Sequence, residues 1–160
     1  MYSEGVLLMD YDTLLVETDN IGLIAKEKPL HYNNGRIKGN RIAIRQDIPT
    51  QTEKSCVLAE ELGHYYTNYG DVLDQSDVQN RKQEFRARMW GYNFQIGLLG
   101  IVKAFEHGCQ NRFETAEYLD VTEDYLDDAI TAYRGKYGRC TAIDNYIIYF
   151  DPSLMVMKMY

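Results

Sequence analysis

Three glutamates and one histidine are the residues of this chain whose types and spacing could do chemistry. In the stretch CVLAEELGHYYTNYGD, residues 56–71, Glu60 and His64 stand four apart and Glu61 lies between them. On a helix that separation puts Glu60 and His64 on one face, able to address one ion, while Glu61, one step round, can address a water beside it. The pattern is His-Glu-x-x-His with Glu60 in place of the first histidine. In the standard motif two imidazoles hold zinc and the intervening glutamate is the general base. A third ligand then comes from another element, and one coordination position stays open for water. Glu84 falls in the next helical pattern, and an antiparallel return of that helix would bring it to the pair.

Spacing leaves other readings open. Glu60, Glu61 and Glu84 also read as solvated helix carboxylates beside an ordinary histidine. Glu61-Leu62-Gly63-His64 also reads as the Glu-x-x-His of a di-iron bundle, which wants two such motifs on separate helices where this chain has one. Gly63 costs a helix about 1 kcal/mol relative to alanine and is expected where the backbone comes close to a neighbouring strand or substrate. Tyr65, Tyr66, His31 or His107 could supply a second electrophilic group, but nothing in the spacing brings one of them to the site.

The elements that must position these residues follow from periodicity. Leu7, Leu8, Tyr11, Leu14 and Leu15 recur at helical spacing between Tyr2 and Asp19, and the strand-like LIAKE follows Gly22. GRIKGNRIAIRQ alternates about Gly39-Asn40 and predicts a hairpin anchored by Ile37, Ile42 and Ile44. Thr50 and Glu53 have capping-box spacing at the start of the site helix, whose apolar face includes Val57, Leu58 and Leu62. Helices are expected from Asp77 to Tyr92, with Phe85, Met89 and Trp90 as core contacts, and from Ile96 to Glu106. RFETAEYLDVTEDYLDDAITAYRGKYG predicts two short helices broken at Asp120, the second capped by Thr122, an acidic helix-turn-helix outline that serves packing rather than DNA reading. NYIIYFDPSLMVMKMY predicts a terminal hairpin about Asp151-Pro152-Ser153.

The 160 residues suit one domain, without linker or repeat. Within it we expect a catalytic core over residues 1–92, a helical part over 93–139 and a C-terminal hairpin over 140–160. A net charge of −7 and a pI near 4.9 argue against direct nucleic-acid binding and favour a protein partner. Cys56, Cys109 and Cys140 are odd in number and widely spaced, as expected of buried, reduced thiols. No apolar run approaches a membrane span, and no leader opens the chain, so a cytoplasmic protein is expected.

CVLAEELGHYYTNYGD followed by QEFRARMWGY resembles the ImmA/IrrE family of metallopeptidases. Leu58, Ala59, Glu61, Leu62, Gly63, His64 and Tyr65 match that family's Leu-Ala-His-Glu-Leu-Gly-His type string. Glu84, Ala87 and Trp90 match its downstream Glu-x-x-Ala-x-x-aromatic segment, and the likeness runs from about Tyr11 to Gly138. Glu60 is the departure. The resemblance implies an α+β, zincin-like fold: a small sheet packed on a metal-binding helix, plus a C-terminal helical part.

It further implies Glu60, His64 and Glu84 as metal ligands and Glu61 as base, with Arg41, Ile42, Ala43, Ile44 and Arg45 forming the strand edge that pairs with an extended substrate. The implied cofactor is Zn²⁺, with Mn²⁺ or Fe²⁺ as competitors because Glu60 makes the donor set harder. Two carboxylates neutralise a divalent ion, so slower hydrolysis than at a two-histidine site is expected. The implied activity is site-specific cleavage of a helix-turn-helix repressor, as by an antirepressor of a prophage or mobile element. The alternative is a non-catalytic antirepressor that binds and sequesters the repressor.

Overall fold

The computed structural model describes residues 9–67 and 77–160, and among them six helices and six strands form an α+β architecture. The entry helix α1 (Tyr11–Asn20) starts where the Asp10 carboxylate accepts from the Thr13 N–H at 2.8 Å, and it buries Tyr11 and Leu14. The expected earlier turns, with Leu7 and Leu8, lie outside the described residues. Strand β1 (Ile24–Lys28) follows, then β2 (Gly35–Lys38) and β3 (Arg41–Arg45). Gly39, at φ 59°, turns the β2–β3 hairpin, as its place between two alternating runs predicts. The sheet order is β1-β3-β2, with β3 parallel to β1 and antiparallel to β2.

That order corrects one expectation. Arg41 to Arg45 form the central strand, hydrogen-bonded on both sides, so their backbone presents no free edge to a substrate. The edges belong to β1 and β2. Asn34 accepts from the Arg45 N–H at 2.7 Å, and the alternation of an antiparallel ladder then turns the backbone groups of Gly35 and Ile37 away from β3.

Helix α2 (Gln51–Thr67) opens with the Thr50 hydroxyl accepting from the Glu53 N–H at 3.1 Å. It packs against α3 (Asp77–Gln95). Two apolar clusters flank this helix pair. The first sheet and α1 cover one, with Leu14, Ile42, Ile44, Leu58 and Leu62. The other holds Cys56, Met89 and Tyr92 against α4 (Gly97–His107), α5 (Arg112–Leu119) and α6 (Glu123–Tyr137), with Leu126 and Tyr133 fully buried. Helices α2 and α3 are therefore the wall shared by both clusters.

Asp120, at φ 52°, breaks α5 from α6, and Thr122 caps α6 by accepting from the Tyr125 N–H. The chain ends in a second sheet, β4-β5-β6 (Cys140–Ile143, Tyr146–Tyr149 and Met155–Lys158), antiparallel throughout. The expected terminal hairpin is its β5–β6 half. Strand β4 goes beyond the sequence pattern, because CTAI is short and its outward positions carry no signal that a loop would lack. Three side-chain expectations also change. Phe85 is 54% exposed rather than in the core, because it falls on the outer face of α3. Cys109 is partly open and Cys140 exposed, leaving Cys56 as the buried thiol, its pKa pushed up to about 11 chiefly by desolvation. No described helix is long and apolar enough to cross a membrane.

Candidate metal centre

The centre is built where α2 and α3 come unusually close. A Cβ on Gly63 would lie 2.1 Å from the Ala87 carbonyl oxygen, and one on Gly91 would lie 3.3 Å from that of Ala59. Residue 63 meets 87 and residue 59 meets 91, so the helices run antiparallel with small residues at the contact. Gly63 is thus needed for a neighbouring helix, not for the strand or substrate expected from sequence.

This approach sets two rungs of side chains along one face of the pair. In one, His64 Nε2 faces Glu84 Oε1 at 3.6 Å; in the other, Arg88 Nε faces Glu60 Oε1 at 3.5 Å. One donor atom from each of Glu60, His64 and Glu84 lies within 4.8 Å of the others. The first separation is too long for a good hydrogen bond. It is close to the roughly 3.3 Å expected between two donors that each stand about 2 Å from a tetrahedral ion. The residues fit a divalent cation with modest closure by Glu60 toward His64 and Glu84.

Glu61 lies one step round, beneath β2. Gly35 makes room for it, since a Cβ there would come within 2.7 Å of Glu61 Oε1. Only 8% of Glu61 is exposed, and its pKa is pushed up to about 7. Desolvation is the main cause, followed by the negative charges of Glu60 and Glu84; the Ile37 backbone N–H opposes the shift. A cation bound beside it would lower that value. The four residues line one cleft of about 630 Å³ with Tyr32, Gly35, Arg36 and Arg88 among its other walls.

Sequence spacing thus brings together the residues it singled out, Glu60, Glu61, His64 and Glu84, while Arg41 to Arg45 stay outside the cleft. It missed Arg88, which stands four residues after Glu84 and so shares its face, and Gly35, whose role depends on a strand-to-helix contact. With Arg88 counted, Glu60, Glu84 and Arg88 sum to one negative charge, the charge of a set with two histidines and one carboxylate. Part of the electrostatic change introduced by Glu60 is therefore offset, though solvent screens the half-exposed guanidinium. Of the other candidate polar groups, Tyr66 stacks on Trp90 in an aromatic row with Phe94, Tyr65 packs edge-on to Tyr66, and His107 lies against Tyr118 on another part of the molecule. His31 is exposed and is not among the cleft residues. Compared with known proteins, the chain matches no family model, no curated protein and no solved structure.

Proposed function

We propose that this protein is a metal-dependent endopeptidase of the zincin kind, acting on a helix-turn-helix transcriptional repressor. The observation that carries the reading is the convergence of Glu60, His64 and Glu84 donor atoms within 4.8 Å, with the buried carboxylate of Glu61 beside them. The motif likeness to ImmA/IrrE supplies the substrate class. A divalent ion held there, Zn²⁺ first and Mn²⁺ or Fe²⁺ as harder competitors, supplies Lewis acidity for hydrolysis.

The chain's own groups do the rest. The edge of β2 presents the Gly35 backbone and the Ile37 carbonyl to an extended substrate, which lays the scissile bond across the cleft, while the Ile37 N–H stays with Glu61. Glu61 accepts a proton from the attacking water and returns it to the leaving amine. Arg88 holds Glu60 at the cleft wall.

The same ion pair gives the second reading its footing. The chain's own Arg88 guanidinium offers Glu60 a counter-charge without any metal, which suits a descendant that sequesters the repressor instead of cutting it. One experiment separates them. Purified protein should carry close to one divalent ion per chain by elemental analysis, and His64→Ala should lose it. Glu61→Gln should keep the ion and lower repressor cleavage at least 100-fold. Full derepression by Glu61→Gln would assign sequestration, and absence of metal from fresh protein would remove the peptidase reading.

A further inference from the structure

The outward face of the first sheet is almost wholly cationic in a chain of net charge −7. The core side of the sheet is fixed by Ala25, Ile37, Ile42 and Ile44, which pack into the cluster over α2, and by Glu27, bonded to Lys54 and Tyr11. Alternation sends the other residues outward. The register then aligns Ile24 with Arg41 and Lys38, Lys26 with Ala43 and Arg36, and Lys28 with Arg45. Every outward position of the three strands is Lys or Arg, except Ile24 and Ala43. Arg45 is paired with Asp47 at 2.7 Å. Among the described residues Lys26, Lys28, Arg36, Lys38 and Arg41 make no ion pair.

Folding does not account for this arrangement. Like charges directly opposite in a ladder, as Lys38 and Arg41 are, destabilise a sheet. The patch is roughly 13 Å along the strands by 10 Å across them, and it forms a shallow concavity of about 570 Å³. Arg36 lines both this concavity and the cleft of the metal centre, so the two surfaces are continuous around β2.

We propose that this face is a docking exosite for an acidic segment of the protein substrate, an inference that rests on the peptidase or sequestration reading in needing a protein partner. Charge complementarity gives the sign of the partner, and Arg36 gives its path, from the sheet face round the edge strand into the cleft. Guanidinium and ammonium groups suit carboxylates. Ile24, Leu30 and Ala43 among them suit the aliphatic side chains of a peptide. A nucleic-acid backbone fits less well: the face has no aromatic residue on which a base could stack and no projecting element to enter a groove.

The test uses full-length, metal-free Glu61→Gln protein, so that no outcome depends on cleavage. The probe is a fluorescein-labelled dodecapeptide of alternating Glu and Ala, followed by anisotropy at 50 mM and 300 mM NaCl. Binding is expected, weakened at least tenfold by the higher salt and at least tenfold by Lys26→Gln, Lys28→Gln, Lys38→Gln and Arg41→Gln combined. The pair Lys26→Gln and Lys28→Gln alone should give an intermediate loss with an unchanged Tm, which guards against a folding artefact. No binding, or equal binding by the combined variant, overturns the exosite. So does tighter, face-dependent binding of a labelled 20-base-pair DNA duplex, which would assign the face to nucleic acid. Low-salt self-association abolished by the combined variant would assign it to a second copy's acidic helices and overturn it too. Loss of the peptidase reading in the metal experiment leaves these outcomes unaffected.

Discussion

At the scale of single residues, the site concentrates negative charge where folding would rather not have it. Glu61 is buried beside two other carboxylates, and its pKa stands near 7 against an ordinary 4.5. Between those two pH values the unfolded chain gives up its proton while the native protein keeps it. Stability therefore falls as pH rises through that window and stays lower above it. Glu61→Gln removes this penalty and leaves the shape. In metal-free protein the variant should match wild type in Tm at pH 4.5 and exceed it at pH 8. The gain should be on the order of 1–2 kcal/mol, roughly 3–6 °C, discounted from full linkage because the carboxylate borders an open cleft. A Tm difference that is flat between pH 4.5 and pH 8 would show that Glu61 is not held protonated by its surroundings.

At the scale of elements, the strands and helices that frame the site were legible because each has a local cause: alternation for β2 and β3, a hydroxyl cap for α2, and Asp120 with Thr122 for the α5–α6 break. What was not legible depends on contacts between elements. Residues 41–45 read equally well as an edge or a centre, since only the parallel partner β1 decides it. Gly63 showed its cost but not its neighbour. That neighbour now gives a prediction. On propensity alone Gly63→Ala should stabilise α2 by about 1 kcal/mol. The new methyl would instead meet the Ala87 carbonyl at 2.1 Å, and a backbone atom cannot rotate aside. Overpacking should win, with a net loss of about 1–3 kcal/mol in urea unfolding. Metal affinity should fall at least tenfold as Glu84 is pushed from His64. Gly135→Ala in α6 is the control, because nothing lies within 4 Å of its would-be Cβ, and there propensity should win with a gain of up to about 1 kcal/mol. Equal effects at the two positions would mean that the close crossing of α2 and α3 is not what requires glycine.

At the scale of the whole molecule, the same two helices that hold the site divide its apolar interior, one cluster on each side. A division of the chain into a core at 1–92, a helical part and a terminal strand pair follows the sequence order, yet Cys56 and Met89 belong to the far cluster while Leu58 and Leu62, on the same α2, belong to the near one. Neither cluster can lose its packing without exposing a face of α2 or α3, so the two should unfold together. Trp90, the single tryptophan, packs against the near cluster and reports on it by fluorescence. Leu126 is fully buried in the far cluster, and Leu126→Ala should cost about 2–5 kcal/mol through lost contacts and a residual cavity. If the wall is shared, Trp90 emission and far-ultraviolet circular dichroism will give coincident urea transitions in wild type, and both will move to lower urea by the same amount in Leu126→Ala. A Trp90 transition that stays at the wild-type midpoint while the dichroism splits in two would show that the site-bearing half stands without the other. The strand and helices that position Glu61, His64 and Glu84 would then form an independent unit.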